Sequence, residues 1–161
     1  MLKESLLSQV LDGTLKDNKK HLSGVYKDYY VCIDFKEPFY FTRINVVLSS
    51  SDTDDLVTFL TDTKRDIRNL KSFELIDNEI LLAIVQPNFK KNIPLVLNTI
   101  IEPVINFLSA ANFSSGCGKC GKCSPVYCTE IKKQHHHYCE ICAAHSKKEN
   151  SQKSKQQKIL F

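Results

Sequence analysis

Leu2, Leu6, Leu7 and Val10 recur at helical spacing and Gly13 follows as a stop, so a short amphipathic helix is expected near the start. The polar stretch KDNKKHLSG reads as a link from it to the first strand. In YYVCIDF the residues Tyr29, Val31, Ile33 and Phe35 alternate onto one side. In FYFTRINVVLSS the residues Tyr40, Ile44, Val46 and Leu48 do the same, with Glu-Pro as the turn between them, which predicts a β-hairpin. SSDTDDLVTFLTDTKRDIRNL begins with residues suited to a helix start and sets Leu56, Phe59, Leu60, Thr63 and Ile67 on one stripe, predicting a helix that lies on the hairpin. SFELID and EILLAIVQP form a second strand pair around Asp77-Asn78. In NIPLVLNTIIEPVINFLSAAN a stripe of Ile93, Leu97, Ile100, Ile101, Val104 and Leu108 predicts another helix, kinked where Pro103 removes a hydrogen bond and crowds Thr99.

The element order is a helix followed by strand-strand-helix twice. It implies an α+β fold over residues 1–113: a two-layer sandwich in which the helices cover one face of a four-stranded antiparallel sheet. Apolar residues are dense from Val25 to Phe113 and nearly absent as runs after Gly116, so the packed core belongs to the first two thirds of the chain. Ser114-Ser115-Gly116 reads as a short joint to a second unit, 114–145, and residues 146–161 as a Lys-rich tail that is either disordered or a short helix.

That second unit changes the picture. It holds six of the seven cysteines and four of the five histidines. No apolar run approaches the ~20 residues of a membrane span, and the first residues are too polar for a secretory signal, so the chain reads as cytoplasmic. In a reducing compartment clustered cysteines are metal ligands more often than disulfides, and an odd count of seven points the same way. Cys117 and Cys120 with Cys139 and Cys142 give C-x2-C-x18-C-x2-C, and replacing the first pair by Cys120 and Cys123 gives x15 between the pairs. Both fit a structural Zn2+ site, because two residues between cysteines let one tight turn aim both sulfurs at one ion. The first pairing is favoured by Gly121, which follows Cys120 and tolerates the unusual φ that such a turn requires. Cys123 and Cys128 remain as spare thiols, a ligand replacement, or half of a second site with two of His135, His136, His137 and His145. Three histidines in a row otherwise read as a polar strand face beside the metal, and Cys32, inside an apolar strand, as a small buried hydrophobe.

The order of a thiolate turn, a hairpin around TEIKK and a second cysteine pair at a helix start resembles the treble-clef and zinc-ribbon group of zinc modules. The resemblance covers Cys117 to about His145. It implies one zinc held by Cys117, Cys120, Cys139 and Cys142, and it implies no single role, since such modules serve nucleic-acid, protein and structural functions alike. The whole layout also looks like uncharacterised bacterial proteins, from which no function carries over.

Four cysteines close a zinc shell and leave no position for a reacting water, and the sequence has no Gly-rich phosphate loop, Gly-x-Ser-x-Gly, His-Glu-x-x-His or zinc-deaminase pattern. The expected role is therefore non-enzymatic, an adaptor that binds a protein partner or a second copy of itself. The aromatic residues Tyr26, Tyr29, Tyr30, Phe35, Phe39, Tyr40 and Phe41 supply either core or a contact patch. Charge offers a second reading. Residues 1–116 carry 13 Lys+Arg against 15 Asp+Glu, whereas 146–161 carry 5 against 1. Lys119, Lys122, Lys132, Lys133 and the tail lysines, with Tyr127 and Tyr138, form a candidate nucleic-acid surface, although that region has no Arg. A third reading makes the site a redox or zinc sensor with Cys123 and Cys128 as its accessible thiols.

Overall fold

A computed structural model describes residues 16–18, 21–36, 38–48, 53–85 and 97–159, with the last ten of these and residues 16–18 and 97–98 described by their backbone alone. The expected helix over Leu2–Val10 lies outside the described residues. The fold is α+β. Its main sheet contains β1 (Lys16–Asn18), β2 (His21–Tyr26), β3 (Tyr29–Lys36), β4 (Phe39–Asn45), β5 (Leu70–Ile76) and β6 (Glu79–Val85), antiparallel throughout in the order β1-β2-β3-β4-β6-β5. Helix α1 (Asp54–Asp66) joins β4 to β5, and α2 (Glu102–Ala110) follows a π-helical turn at Leu97–Ile101. The hairpin of β7 (Val126–Ile131) and β8 (Gln134–Cys139) comes next, and α3 (Glu140–Ile159) ends the described chain. No described helix is long and apolar enough to cross a membrane.

The sheet has six strands where the hydrophobic pattern suggested four. The stretch expected to be a polar link, residues 16–24, contains β1 and the first four residues of β2. Leu22, Gly24 and Tyr26 face the core, but Gly24 breaks the apolar alternation that would have revealed the strand. Its turn is equally disguised. Lys27 and Asp28 both take positive φ, 48° and 71°, the conformation of a two-residue hairpin that Asn-Gly would have announced. Lys132 and Lys133, at 53° and 63°, make the same turn between β7 and β8.

One face of the sheet is the dry core. Leu22, Val31, Ile33, Tyr40, Ile44, Ile80, Leu82 and Ile84 lie on it, against Leu56 and Leu60 of α1 and Ile101, Val104, Ile105 and Leu108 around α2. The register carries this pattern across the strands: Val31 opposes Ile44, which opposes Ile80, while Tyr40 opposes Ile84. In β5 a register shift between Leu70 and Ser72 inserts one extra residue, so that Leu70, Phe73 and Leu75 all reach the core face despite their mixed parity. The two helices meet through Phe59 and Phe107, stacked at 4.3 Å.

Pro103 is where a break was expected, and the chain resolves it by widening. The π turn at Leu97–Ile101 lets α2 begin at Glu102, with the proline in its first turn, where a missing N–H costs nothing. Of the aromatic residues of the first strands, Tyr26, Tyr29 and Tyr40 are core. Phe39 remains 37% exposed and stacks on Phe41.

Candidate metal centre

The second face of the sheet is polar yet buried. Ser23, Asp34, Arg43, Asn45 and Glu79 occupy it, each less than a tenth exposed, because β8 lies edge-on across them. The contacts are specific. Asp34 accepts from Arg43 Nη1 at 3.1 Å, from the His135 backbone N–H at 2.9 Å, and pairs with His135 Nδ1 at 2.6 Å. Arg43 Nη2 donates to Gln134 Oε1 at 2.9 Å, and Glu79 pairs with His136 Nδ1 at 3.0 Å. The Asn45 amide donates to the carbonyls of both Gly116 and His137 at 2.8 Å. His21 of β2 stacks on His135 at 3.5 Å.

The three histidines thus act as the docking strip of the hairpin. His137 is buried and its imidazole is pulled down to about 4, first by burial and then by neighbouring His136, so it meets the sheet as a neutral ring. The outward edge of β8 is likewise closed: His135 N–H by Asp34, His137 C=O by Asn45 and the Gly118 N–H, and Cys139 N–H by Cys117 Sγ.

The joint at 114–116 is strapped down. Val47 N–H donates to Ser114 C=O, Tyr30 N–H to Ser115 Oγ, and Ser115 Oγ to Asn45 C=O. The thiolate turn that follows is clasped by the β5–β6 turn: Asn78 N–H donates to Gly118 C=O, Asn78 Nδ2 to Lys119 C=O, and Lys119 Nζ pairs with Asp77 at 3.1 Å. Gly121, at φ +78°, donates its N–H to Cys117 C=O at 2.8 Å and lets the turn reverse.

Between this turn and the β8–α3 junction, the sulfurs of Cys117, Cys120, Cys139 and Cys142 all lie within 4.8 Å of one another, with Cys120 and Cys139 at 3.9 Å. Four sulfurs bound to one tetrahedral ion at ~2.3 Å would sit about 3.8 Å apart, so the group is close enough to hold a metal ion. Cys117 is fully buried. Burial raises its pKa, but the N–H groups of Cys120, Cys139 and Lys119 aimed at its sulfur outweigh that and bring it to about 7. Cys142, on the first turn of α3, is driven the other way by burial and by the three neighbouring sulfurs. Four such groups ionise together only beside a cation, whose charge offsets their mutual repulsion.

Cys123 is turned away, its thiol 3.8 Å from the Ser115 carbonyl, and Cys128 is an exposed residue of β7 opposite His137 of β8. Among the described residues these two do not converge with histidines into a second set of ligand atoms: His135, His136 and His137 are engaged with the sheet, and His145 pairs with Glu149 one turn along α3 at 3.2 Å. Among the described residues only the one group of four converges. Cys32 is buried as expected but on the polar face rather than in the core, with its sulfur 3.1 Å from His137 Nδ1. Sequence reasoning missed Asn45, Asn78, Asp34 and Glu79. The signal of Asp34, Asn45 and Glu79 was present as polar residues alternating with apolar ones on inner strands, where the second face of a sheet would ordinarily have met water, whereas Asn78 read only as a turn residue.

Comparison with protein-family models, with curated proteins and with solved structures finds no match to this chain. The site's own chemistry therefore carries the functional reading.

Proposed function

We propose that this chain is a non-enzymatic zinc protein. Cys117, Cys120, Cys139 and Cys142 hold one structural Zn2+, and the zinc-ribbon or treble-clef-like module so formed is an interaction surface carried by the α+β domain. The observation behind this is the convergence of four thiols, one of them taking three backbone N–H groups. Soft sulfur donors in a tetrahedral set suit zinc, and four of them leave no open position for catalysis.

The adaptor part of the reading rests on what the module leaves exposed. Tyr127 is 60% and Ile141 81% exposed, and both line a depression of about 330 Å³ with Pro125 and Lys122 beside the cysteines. Large apolar side chains next to a rigid centre are the usual anchors of a protein contact. The test is metal content of protein purified without added zinc. One zinc per chain, lost in Cys120→Ser and kept in Cys123→Ser, is the expected result. Loss only in Cys123→Ser overturns the ligand set.

Nucleic-acid binding is the second reading, favoured by the same Tyr127 and Lys122 together with Lys132 and Lys133 at the hairpin tip. Retention on heparin that disappears when the chain after His145 is removed supports it, and no retention at low salt excludes it.

A further inference from the structure

Two cysteines outside the proposed metal centre face each other across the docking surface. Cys32 of β3 is the cross-strand partner of Ser23 on β2, and Cys128 of β7 is the cross-strand partner of His137 on β8. Partners in an antiparallel pair project to the same side, so the sheet presents Cys32 with Ser23 and the hairpin presents Cys128 with His137. His137 Nδ1 sits 3.1 Å from Cys32 Sγ, which fixes one surface on the other. Cys128 therefore stands on the hairpin side that His137 turns toward Cys32 and Ser23, and both of these act on its thiol. One thiol is exposed and the other is 1% exposed.

We propose that Cys128 and Cys32 form a peroxide-reactive thiol pair, Cys128 as the attacking and Cys32 as the resolving cysteine, whose oxidation links the hairpin covalently to the sheet. The Cys128 thiolate attacks one oxygen of hydrogen peroxide. The S–O bond forms as the O–O bond breaks, and the departing hydroxide takes a proton and leaves as water. Cys128 is now a sulfenic acid, oxidised by two electrons. Cys32 gives up its proton and attacks the Cys128 sulfur. The S–S bond forms, the S–O bond breaks, and the hydroxide carries that proton away as a second water. Two thiols and one peroxide give one disulfide and two waters. A dithiol reductant reverses the product.

The surroundings suit each role. The Cys32 thiol, the Ser23 hydroxyl and the nearby rings of His135 and His21 oppose the effect of burial on Cys128 and bring it down to about 5, so the exposed sulfur is anionic at neutral pH. Burial keeps Cys32 protonated until a sulfenic acid forms beside it. The four clustered cysteines are shielded once they share a cation, and Cys123 lies against the Ser115 carbonyl.

The experiment treats the full chain, purified with its metal, with a small excess of hydrogen peroxide at neutral pH, then blocks free thiols and maps the peptides while a chromophoric chelator reports released zinc. The expected result is a Cys32–Cys128 cross-linked peptide, an intact mass lower by two hydrogens, restoration by dithiothreitol, and no metal release. In Cys32→Ser, dimedone should trap sulfenic acid at Cys128. In Cys128→Ser, an exposed change that the fold should accept, Cys32 should stay reduced. Oxidation of Cys123 ahead of Cys128, conversion of wild-type Cys128 to sulfinic acid with no disulfide, or a disulfide among the clustered cysteines overturns the proposal. Metal content of the untreated protein is read separately, so failure of the zinc assignment is distinguishable from failure of the thiol pair.

Discussion

The side-chain amide nitrogen of Asn45 lies 2.8 Å from the carbonyl oxygen of His137 and 2.8 Å from that of Gly116, so one residue of the sheet binds both the joint and the docking strand of the cysteine-rich unit. Asn45→Ala takes from the buried Gly116 carbonyl its donor and leaves the His137 carbonyl with the Gly118 N–H. The cost of an unmet buried partner is about 1–3 kcal/mol, and the urea midpoint should fall accordingly. Amide exchange should accelerate in Gln134–Cys139 and not in the strands that line the dry core. Equal acceleration everywhere would place Asn45's role in the sheet itself.

Asp34 is the counter-ion of Arg43 and the acceptor for His135 at once. Asp34→Ala strands a buried guanidinium with Gln134 as its remaining contact among those described above, and loss of one partner of a buried ion pair costs roughly 3–5 kcal/mol. Combining it with Arg43→Met should recover part of that loss. A double variant as unstable as the two single losses added together would show that the pair is not coupled.

The thiolate turn has no room at Gly116. An added Cβ would stand 2.8 Å from the Gly121 carbonyl oxygen and 2.9 Å from that of Lys122, both backbone. Forced overpacking costs about 1–3 kcal/mol, so Gly116→Ala should weaken metal retention in chelator competition by about tenfold or more. Gly121→Ala tests the same turn through its positive φ rather than through a clash, at about 1–2 kcal/mol. Unchanged retention in both would mean that the turn does not set the affinity.

Chelation should take the protein apart unequally. The apolar cluster that holds the sheet and its helices contains none of the cysteine-rich unit, whose own cluster is centred on Cys117, Tyr138 and Cys139. Removing the metal should therefore strip exchange protection from Val126–Cys139 and leave Tyr29–Asn45 and Glu79–Val85 protected. Simultaneous loss in both regions would show that the two parts fold as one.

Cys128 offers a pH measurement. Cys32 is the largest single influence on its thiol, whose titration moves from 9.0 to about 5. The folded protein therefore holds fewer protons than the unfolded chain between these values. The stability linked to the group is complete above pH 9 and lost as pH falls through 5. Iodoacetamide labelling of Cys128 should follow a curve with its inflection near pH 5, and Cys32→Ala should move that inflection upward. An inflection unchanged by Cys32→Ala would show that the two sulfurs do not interact.

The strands from Tyr29 to Val85 and the helices α1 and α2 were legible because their apolar periods are those of the elements they form, and the hairpin around Thr129–Lys133 from the segments that flank its turn. Strand β2 was hidden by Gly24 and by a Lys-Asp turn whose positive φ values the residue types do not advertise. The convergence of Cys117, Cys120, Cys139 and Cys142 follows from local spacing, which survives translation from sequence to space. The facing of Cys32 and Cys128 does not. It depends on a hairpin landing on a particular strand, through contacts such as Arg43 to Gln134 that join residues far apart in the chain. Side-chain pairing at that separation leaves no periodic trace.

The strip of sheet beneath β8 includes, beside Cys32, the polar residues Ser23, Asp34, Arg43, Asn45 and Glu79. If the hairpin lifts away, water meets carboxylates, an amide and a guanidinium, groups it solvates well, in place of a greasy scar that would recruit other chains. Parting this seam would therefore uncover far less apolar surface than parting the dry core, and the polar strip itself would give other chains little to adhere to.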